Sequence, residues 1–315
     1  MDTQKTLTRT QKRNIFFGVM ITIPIIIFII FYGVINANTI LLAFKKYEVA
    51  DSGFGYKTSF AGFANFKVVI EMLSYNDNWM MLKNSFVLWF FKLTIGLSVS
   101  IIFSYYVYKK SAGSRFFRVI LFLPNIISNL IMVHLFRNFV DVGIPEIFNL
   151  RLGLIENPNT TLVTILFFNL WLGFAGQTLL ITSAMSSISE SIEEAAQVDG
   201  VNSVNELFYI TLPMIMPTLT TFIVLSIAEL FVDQMSLVTF YDQFGTPSHI
   251  RTVGYYLFQQ VYQSEIIPNT PWEADPIRGK LSYSQLSAFG VMISLFVIPV
   301  SFGVRKILNH IDPNN

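Results

Sequence analysis

Long apolar runs alternate with shorter polar stretches along the whole chain. Six of them, at about 15–35, 85–107, 116–136, 160–182, 217–240 and 286–308, have the length of a membrane-crossing helix, which takes roughly 20 residues. Pro24 lies inside the first run, which membrane helices tolerate because neighbouring groups satisfy the freed carbonyl. Between the first two runs the pattern is mixed, with a turn-rich patch at Asp51-Ser52-Gly53. The stretch Asn65 to Leu73 puts Phe66, Val69, Ile70 and Leu73 on one helical face, the pattern of a helix lying on a membrane surface. Residues 241–284, rich in Pro, Tyr, Gln and Asp, read as a long loop. No internal repeat or linker interrupts the chain, so the pattern predicts one transmembrane domain over 15–308. It is flanked by tails at 1–14 and 309–315.

Composition strengthens that reading. Of 315 residues, 53% are apolar and only 13% charged, a profile that suits a membrane protein and not a soluble domain of this length. A formal net charge of +1 offers no basic footprint for nucleic acid. The absence of cysteine excludes disulfides, thiolate metal sites and cysteine nucleophiles. The first run follows Lys5, Arg9, Lys12 and Arg13 but is too long for a signal-peptide core and lacks a small-residue cleavage site, so a retained span is expected. Basic residues at the N-terminal tail, at Lys109–Arg115 and at Arg305 and Lys306 put these segments and both termini in the cytoplasm by the positive-inside rule. Lys45, Lys46, Lys57 and Lys67 fall on the other side, in a longer loop where the rule counts for less.

The polar stretch Ser187 to Pro217 separates the fourth and fifth runs and contains no Lys or Arg, although it carries Glu190, Glu193, Glu194, Asp199 and Glu206. Ser191 with Glu194, and Ser203 with Glu206, have the spacing of capping boxes. Gly200 can end the first short helix in a left-handed conformation, and Pro213 and Pro217 restrict the backbone where the next apolar run begins. The expected form is helix, glycine turn, helix, elbow. A run of acidic residues can be a solvated helix face. Here an anionic surface awaiting a basic partner is preferred, because two short helices are costly to hold in water alone.

Glu194-Ala195-Ala196, Gly200, and then Ile210, Leu212 and Pro213 have the order and spacing of the EAA loop. In this the chain resembles the permease subunits of binding-protein-dependent ABC importers. The wording EEAAQVDG and ITLP, together with FAGFANF at 60–66, is most similar to the carbohydrate-uptake branch, the maltose and multiple-sugar permeases. The resemblance implies an all-α membrane protein with six transmembrane helices of the type I importer fold and a cytoplasmic coupling loop, 187–212, between helices 4 and 5. It implies a second, similar permease, two ATPase subunits docked on that loop, an extracytoplasmic solute-binding protein and a carbohydrate solute. The location would be the cell membrane, multi-pass. ATP and Mg would be bound by the ATPase and no cofactor by this chain. Ala195 and Ala196 would permit close docking, and Glu194 would brace the helix while facing a basic residue of the ATPase.

The residues themselves agree that the chain does no covalent chemistry. No Gly-x-x-x-x-Gly-Lys-[Ser/Thr] occurs, and the pair Gly279-Lys280 lacks the first glycine. His134, His249 and His310 are too scattered for a metal site. Ionisable side chains inside the runs are the better lead, since each is expensive in lipid. Glu229 and Asp233 are four apart, with Ser226 and Gln234 nearby, a stripe able to accept hydrogen bonds from sugar hydroxyls. Asn169, Trp171, Gln177 and Thr178 of the fourth run add amides, a hydroxyl and an aromatic face. Two readings of the stripe stand: it lines a solute path, or Lys92 of the second run neutralises one of its carboxylates. An alternative of another class is a secondary transporter that couples sugar to an ion through Glu229 and Asp233. Asn125, Ser128 and Asn129 read as interhelical hydrogen-bonding groups.

Overall fold

The computed structural model of the protein describes residues 8–49, 56–241, 245–266 and 281–312. The turn-rich patch at Asp51–Gly53, the pair Gly279-Lys280 and parts of the 241–284 segment lie outside the described residues. Two compact units divide the chain. One is Met1–Met72 with Pro271–Met292, the other Leu73–Thr270 with Ile293–Asn315.

In the first unit, α1 (Arg9–Ala43) is a single 35-residue helix, longer at both ends than the apolar run that marks it. Thr8 and Gln11 form a capping box at its start. Past Pro24 the helix widens into a π turn at Ile29–Val34. None of its most apolar window is buried, as suits a helix facing lipid. A hairpin follows, β1 (Lys45–Val49) and β2 (Tyr56–Phe60), antiparallel with Lys45 opposite Phe60. It is the one departure from an all-helical chain among the described residues. Next, α2 (Ala64–Ser74) occupies the expected amphipathic stretch. Its buried stripe is Asn65, Val69 and Met72, while Ile70 points outward. Asn65 accounts for the shift, because its amide donates 2.8 Å bonds to the Ala43 and Lys45 carbonyls and so turns its own face inward.

The second unit holds α3 (Asn78–Tyr108), with a π turn at Lys92–Gly96. It is followed by α4 (Ser114–Ile126), α5 (Asn129–Phe148) and α6 (Thr161–Met185). One straight helix was expected over 116–136. The chain instead bends by 105° between α4 and α5, where α4 ends two residues after Pro124. Ile127 and Ser128 are extended there. Of the three expected interhelical groups, Asn125 reaches the Leu172 carbonyl at 3.4 Å.

The lower half of α3 lies along α6, and small residues set their spacing. A Cβ on Gly96 would stand 3.0 Å from the Leu170 side chain. One and two turns on, Ser100 bonds Gln177 and Ser104 bonds the Thr178 carbonyl, each at 3.1 Å. This is a small-residue seam of the kind that lets membrane helices approach closely.

The coupling segment comprises α7 (Glu190–Val198) and α8 (Ser203–Met214), which bends by 73° into α9 (Met216–Glu229). A short α10 (Leu237–Tyr241) follows. Then comes α11 (Val253–Ile266), a helix where the sequence suggested loop, with Val253, Tyr255 and Tyr256 fully buried. The last helix, α12 (Tyr283–Ile311), belongs to the first unit up to Met292 and to the second beyond it. By length and composition α1, α3, α6 and α12 can each cross a membrane. The bent pairs α4–α5 and α8–α9 make six crossings if each counts once. Two apolar clusters hold the second unit: Leu88, Val133, Phe136, Phe168, Phe240 and Tyr255 in one, Tyr105, Ile181, Met185, Leu207 and Leu219 in the other.

Candidate functional site

At the coupling segment the expected helix, turn, helix and elbow are all present, but the caps are not where the spacing put them. Ser189, not Ser191, precedes α7, and the two hydroxyls bond each other at 2.8 Å. Asn202, not Ser203, caps α8, accepting from the Asn205 N–H at 2.8 Å. In both places an earlier polar residue is in the extended conformation that a cap requires. Gly200 stands at φ +71°. The Val201 N–H reaches back to the Ala196 carbonyl and the Gly200 N–H to Gln197, a Schellman-type close. No neighbour would touch a Cβ on Gly200, so the need for glycine there comes from the backbone alone.

Glu206, released from its expected capping role, is buried at 7% exposure and ion-paired to Lys109. Lys109 closes the C-terminus of α3. Its ammonium also lies 3.7 Å from Glu193 on α7 and within 6 Å of the Tyr105 and Tyr108 rings. Burial, and then the Glu206 carboxylate, push the Glu193 carboxyl above its usual range. The acidic surface is therefore smaller than the sequence suggests, since Glu193 and Glu206 turn inward. Glu190, Glu194 and Asp199 remain exposed. Among the family-motif residues, Glu194, Ala195 and Gly200 are exposed, Ala196 is buried, and Ile210, Leu212 and Pro213 are half-buried. Alongside them Val198, Phe208 and Tyr209 present apolar surface at 88%, 59% and 78% exposure. Phe208 and Tyr209 were missed, and their signal was an aromatic pair in an otherwise polar loop.

The second place of interest is a cavity of about 200 Å³ between α3, α6, α9 and the turn that follows α9. Glu229 ends α9, so the helix expected to run to Phe240 stops short and Glu229 and Asp233 do not share a helical face. The chain then turns, with Met235 and Ser236 at positive φ. Asp233 sits in that turn, accepting from the Met235 N–H at 2.8 Å and pairing with Lys92 at 2.6 Å. The pairing reading of the stripe thus holds for Asp233. Glu229 makes no ion pair or hydrogen bond through its carboxylate among the described residues, and it lines the cavity with Ser226 and Gln177. Gln234, Asn169 and Trp171 do not line it. Asn169 donates to the Ile165 and Met235 carbonyls, and Trp171 packs against Phe136 and Phe168. Asn169 thus holds the turn from behind, and Trp171 packs against the apolar cluster. Ser85, Trp89 and Thr252, not singled out from sequence, complete the polar lining.

The turn is fixed from outside as well. Asn84 donates to the His249 and Arg251 carbonyls, Ser85 accepts from the Val253 N–H, and Thr252 donates to the Asp233 carbonyl. A Cβ on Gly254 would fall 2.3 Å from the Val232 carbonyl oxygen, so α11 starts directly against the turn. Lys92 opens the π turn of α3, an irregularity that often marks functional positions in helices.

Apolar helices around a polar cavity, joined by a short helical loop, have the form of a membrane transport subunit. Residues 92–314 match the family of binding-protein-dependent transport system inner membrane components, and the chain belongs to that family. It is 26% identical over 215 residues to the sn-glycerol-3-phosphate transport system permease protein of Shigella dysenteriae serotype 1 (66% of this chain, 71% of the relative). It is 24% identical over 233 residues to the multiple sugar-binding transport system permease protein of Streptococcus mutans (70% and 76%). Its fold is that of a chain in the crystal structure of a bacterial ABC transporter that imports the acidic polysaccharide alginate. The TM-score is 0.74 at 18% identity, covering 95% of this chain and 97% of that one. Membership of this family sets aside the ion-coupled reading of Glu229 and Asp233.

Proposed function

We propose that the chain is the permease of an ATP-driven importer for a sugar or oligosaccharide. In this reading it pairs with a second, homologous permease, and a solute-binding protein delivers the solute from outside. The observation that carries the reading is the coupling segment. Two short helices are held in a fixed turn by Gly200, with Ala195, Val198, Phe208 and Tyr209 exposed on a loop that has nothing of its own to cover them. Exposed apolar surface of this kind marks an interaction site. Two ATPase subunits, which bind the ATP and Mg, dock on 187–212, with Glu194 turned toward a basic residue. Both termini and this loop are cytoplasmic, and the six spans follow the helices described above.

The solute passes along the cavity lined by Ser226, Gln177 and Glu229, whose size is below the roughly 300–1,000 Å³ of most small-molecule sites; the second permease supplies the remaining wall. With Lys92 neutralised by Asp233, the walls on this side carry one uncompensated carboxylate, a better match to a neutral or amine-bearing sugar than to an acidic one. The test is co-purification. The chain extracted in mild detergent brings down an ATPase in nucleotide-dependent fashion, and Tyr209→Asp removes that ATPase while leaving the chain in the membrane. Retention of the ATPase by Tyr209→Asp removes the docking assignment.

A further inference from the structure

We propose that Lys109 is the positioning residue that transmits movement of the coupling loop to the cavity, through α3 acting as a rod. The proposal rests on the reading that an ATPase docks on the loop, and it concerns how this chain passes that motion on.

The geometry assigns the role to one cation. Lys109 terminates α3 and touches both helices of the coupling segment, Glu193 on α7 and Glu206 on α8. The loop's other tethers are its covalent connections to α6 and α9 and the apolar cluster around Leu207 and Ile215. The ion pairs to a third helix are made by Lys109. Glu206 is buried, so its charge has no recourse to water once the lysine is gone. Tyr105 and Tyr108 bracket the ammonium and fix the flexible side chain in one place.

At its other functional point the same helix carries Lys92, paired with Asp233 in the cavity turn. The two lysines lie roughly 25 Å apart along the axis at 1.5 Å per residue. Between them the seam of Gly96, Ser100 and Ser104 runs along α6. Close small-residue packing and two hydroxyl bonds tie α3 to α6 along it, so this stretch of α3 moves as a rigid piece. A displacement of α7 and α8 by a docked ATPase therefore pulls Lys109, carries this stretch of α3, and shifts Lys92 with the Asp233 turn behind it.

The experiment uses the absence of cysteine from the chain. Nitroxide labels are placed singly at Val204→Cys on the loop and at Leu93→Cys, on α3 beside the cavity. The chain is assembled with its partner permease and ATPases in lipid vesicles. In the otherwise unchanged chain both labels respond to ATP. Lys109→Met keeps the response at 204 and loses the response at 93, whereas Lys109→Arg keeps both. Lys109→Glu loses the response at 93, and Lys109→Glu with Glu206→Lys recovers it at normal membrane abundance. An undiminished response at 93 in Lys109→Met overturns the proposal, and so does failure of the reversed pair to recover it. No ATP response at 204 in the unchanged chain overturns the docking reading itself, and the proposal falls with it.

Discussion

The two ends of the stretch of α3 from Lys92 to Lys109 make an instructive contrast. At the loop end Lys109 meets carboxylates brought by two short helices that follow one another in the chain. At the cavity end Lys92 meets Asp233, a carboxylate in a turn that owes its shape to α3, α6 and α11 together. The loop end is local: its form follows from Gly200, from polar residues at the helix starts and from two prolines. The cavity end is assembled from residues as far apart as Asn84 and Arg251. Damage should spread differently from the two places. A change in the loop should spoil docking and spare the bundle, and a change in the turn should spoil the bundle and spare the loop.

Gly254→Ala should separate them most. The added Cβ meets backbone, the Val232 carbonyl at 2.3 Å, which cannot give way as a side chain would. A cost at or beyond the top of the usual 1–3 kcal/mol for overpacking, about 3 kcal/mol, is expected. Membrane abundance and thermal stability in detergent should fall sharply. Unchanged stability would mean that α11 does not start against the turn.

Asp233→Asn comes next. It strands Lys92, and breaking a fully buried pair costs about 3–5 kcal/mol. Both side chains here are 28% exposed, so solvent screening reduces that to about 1–2 kcal/mol. Abundance should drop and recover when Lys92→Met is added. If the double change is no better than the single one, the pair is not what holds the turn.

Gly200→Val tests the loop end. A β-branched residue at φ +71° costs about 1–2 kcal/mol of local strain, with no clash to add to it. The loop should lose its turn and its ATPase while the protein inserts normally. Full ATPase association in this variant would remove the coupling segment from the mechanism.

The smallest effect on stability is expected from Glu229→Gln, near zero, because that carboxylate has no partner among the described residues. Sugar uptake should nevertheless change, measured against ATP hydrolysis by the same assembly. If abundance falls with the amide in place, Glu229 is a structural group after all.

Much of this could be read from residue order. Length and apolarity located the four helices long enough to cross a membrane singly, and the motif from Glu194 to Pro213 marked the segment that holds the Gly200 turn. What failed were statements that needed a neighbour. Ser191 and Ser203 had the spacing of caps, yet the positions before the helices fell to Ser189, which makes no capping bond, and to Asn202, which does, because the helix begins where the preceding residue is extended and spacing alone does not fix that residue. Glu229 and Asp233 had the spacing of one helical face, yet the helix ended between them. Asn169 and Trp171 looked like solute contacts, yet Asn169 bonds the turn and Trp171 packs against the apolar cluster.

The apolar runs alone determined that this chain crosses a membrane as helices, because a continuous apolar run of about 20 residues satisfies its backbone in lipid as a single helix. Gly200 determined the loop's turn, because a positive φ is free only to a residue without a Cβ. Which carboxylates would be paired was settled only in three dimensions. Glu206 and Asp233 found lysines on α3 and Glu229 did not. An ion pair depends on two side chains arriving within a few ångströms from distant parts of the chain, and spacing along one helix carries no record of where another helix ends.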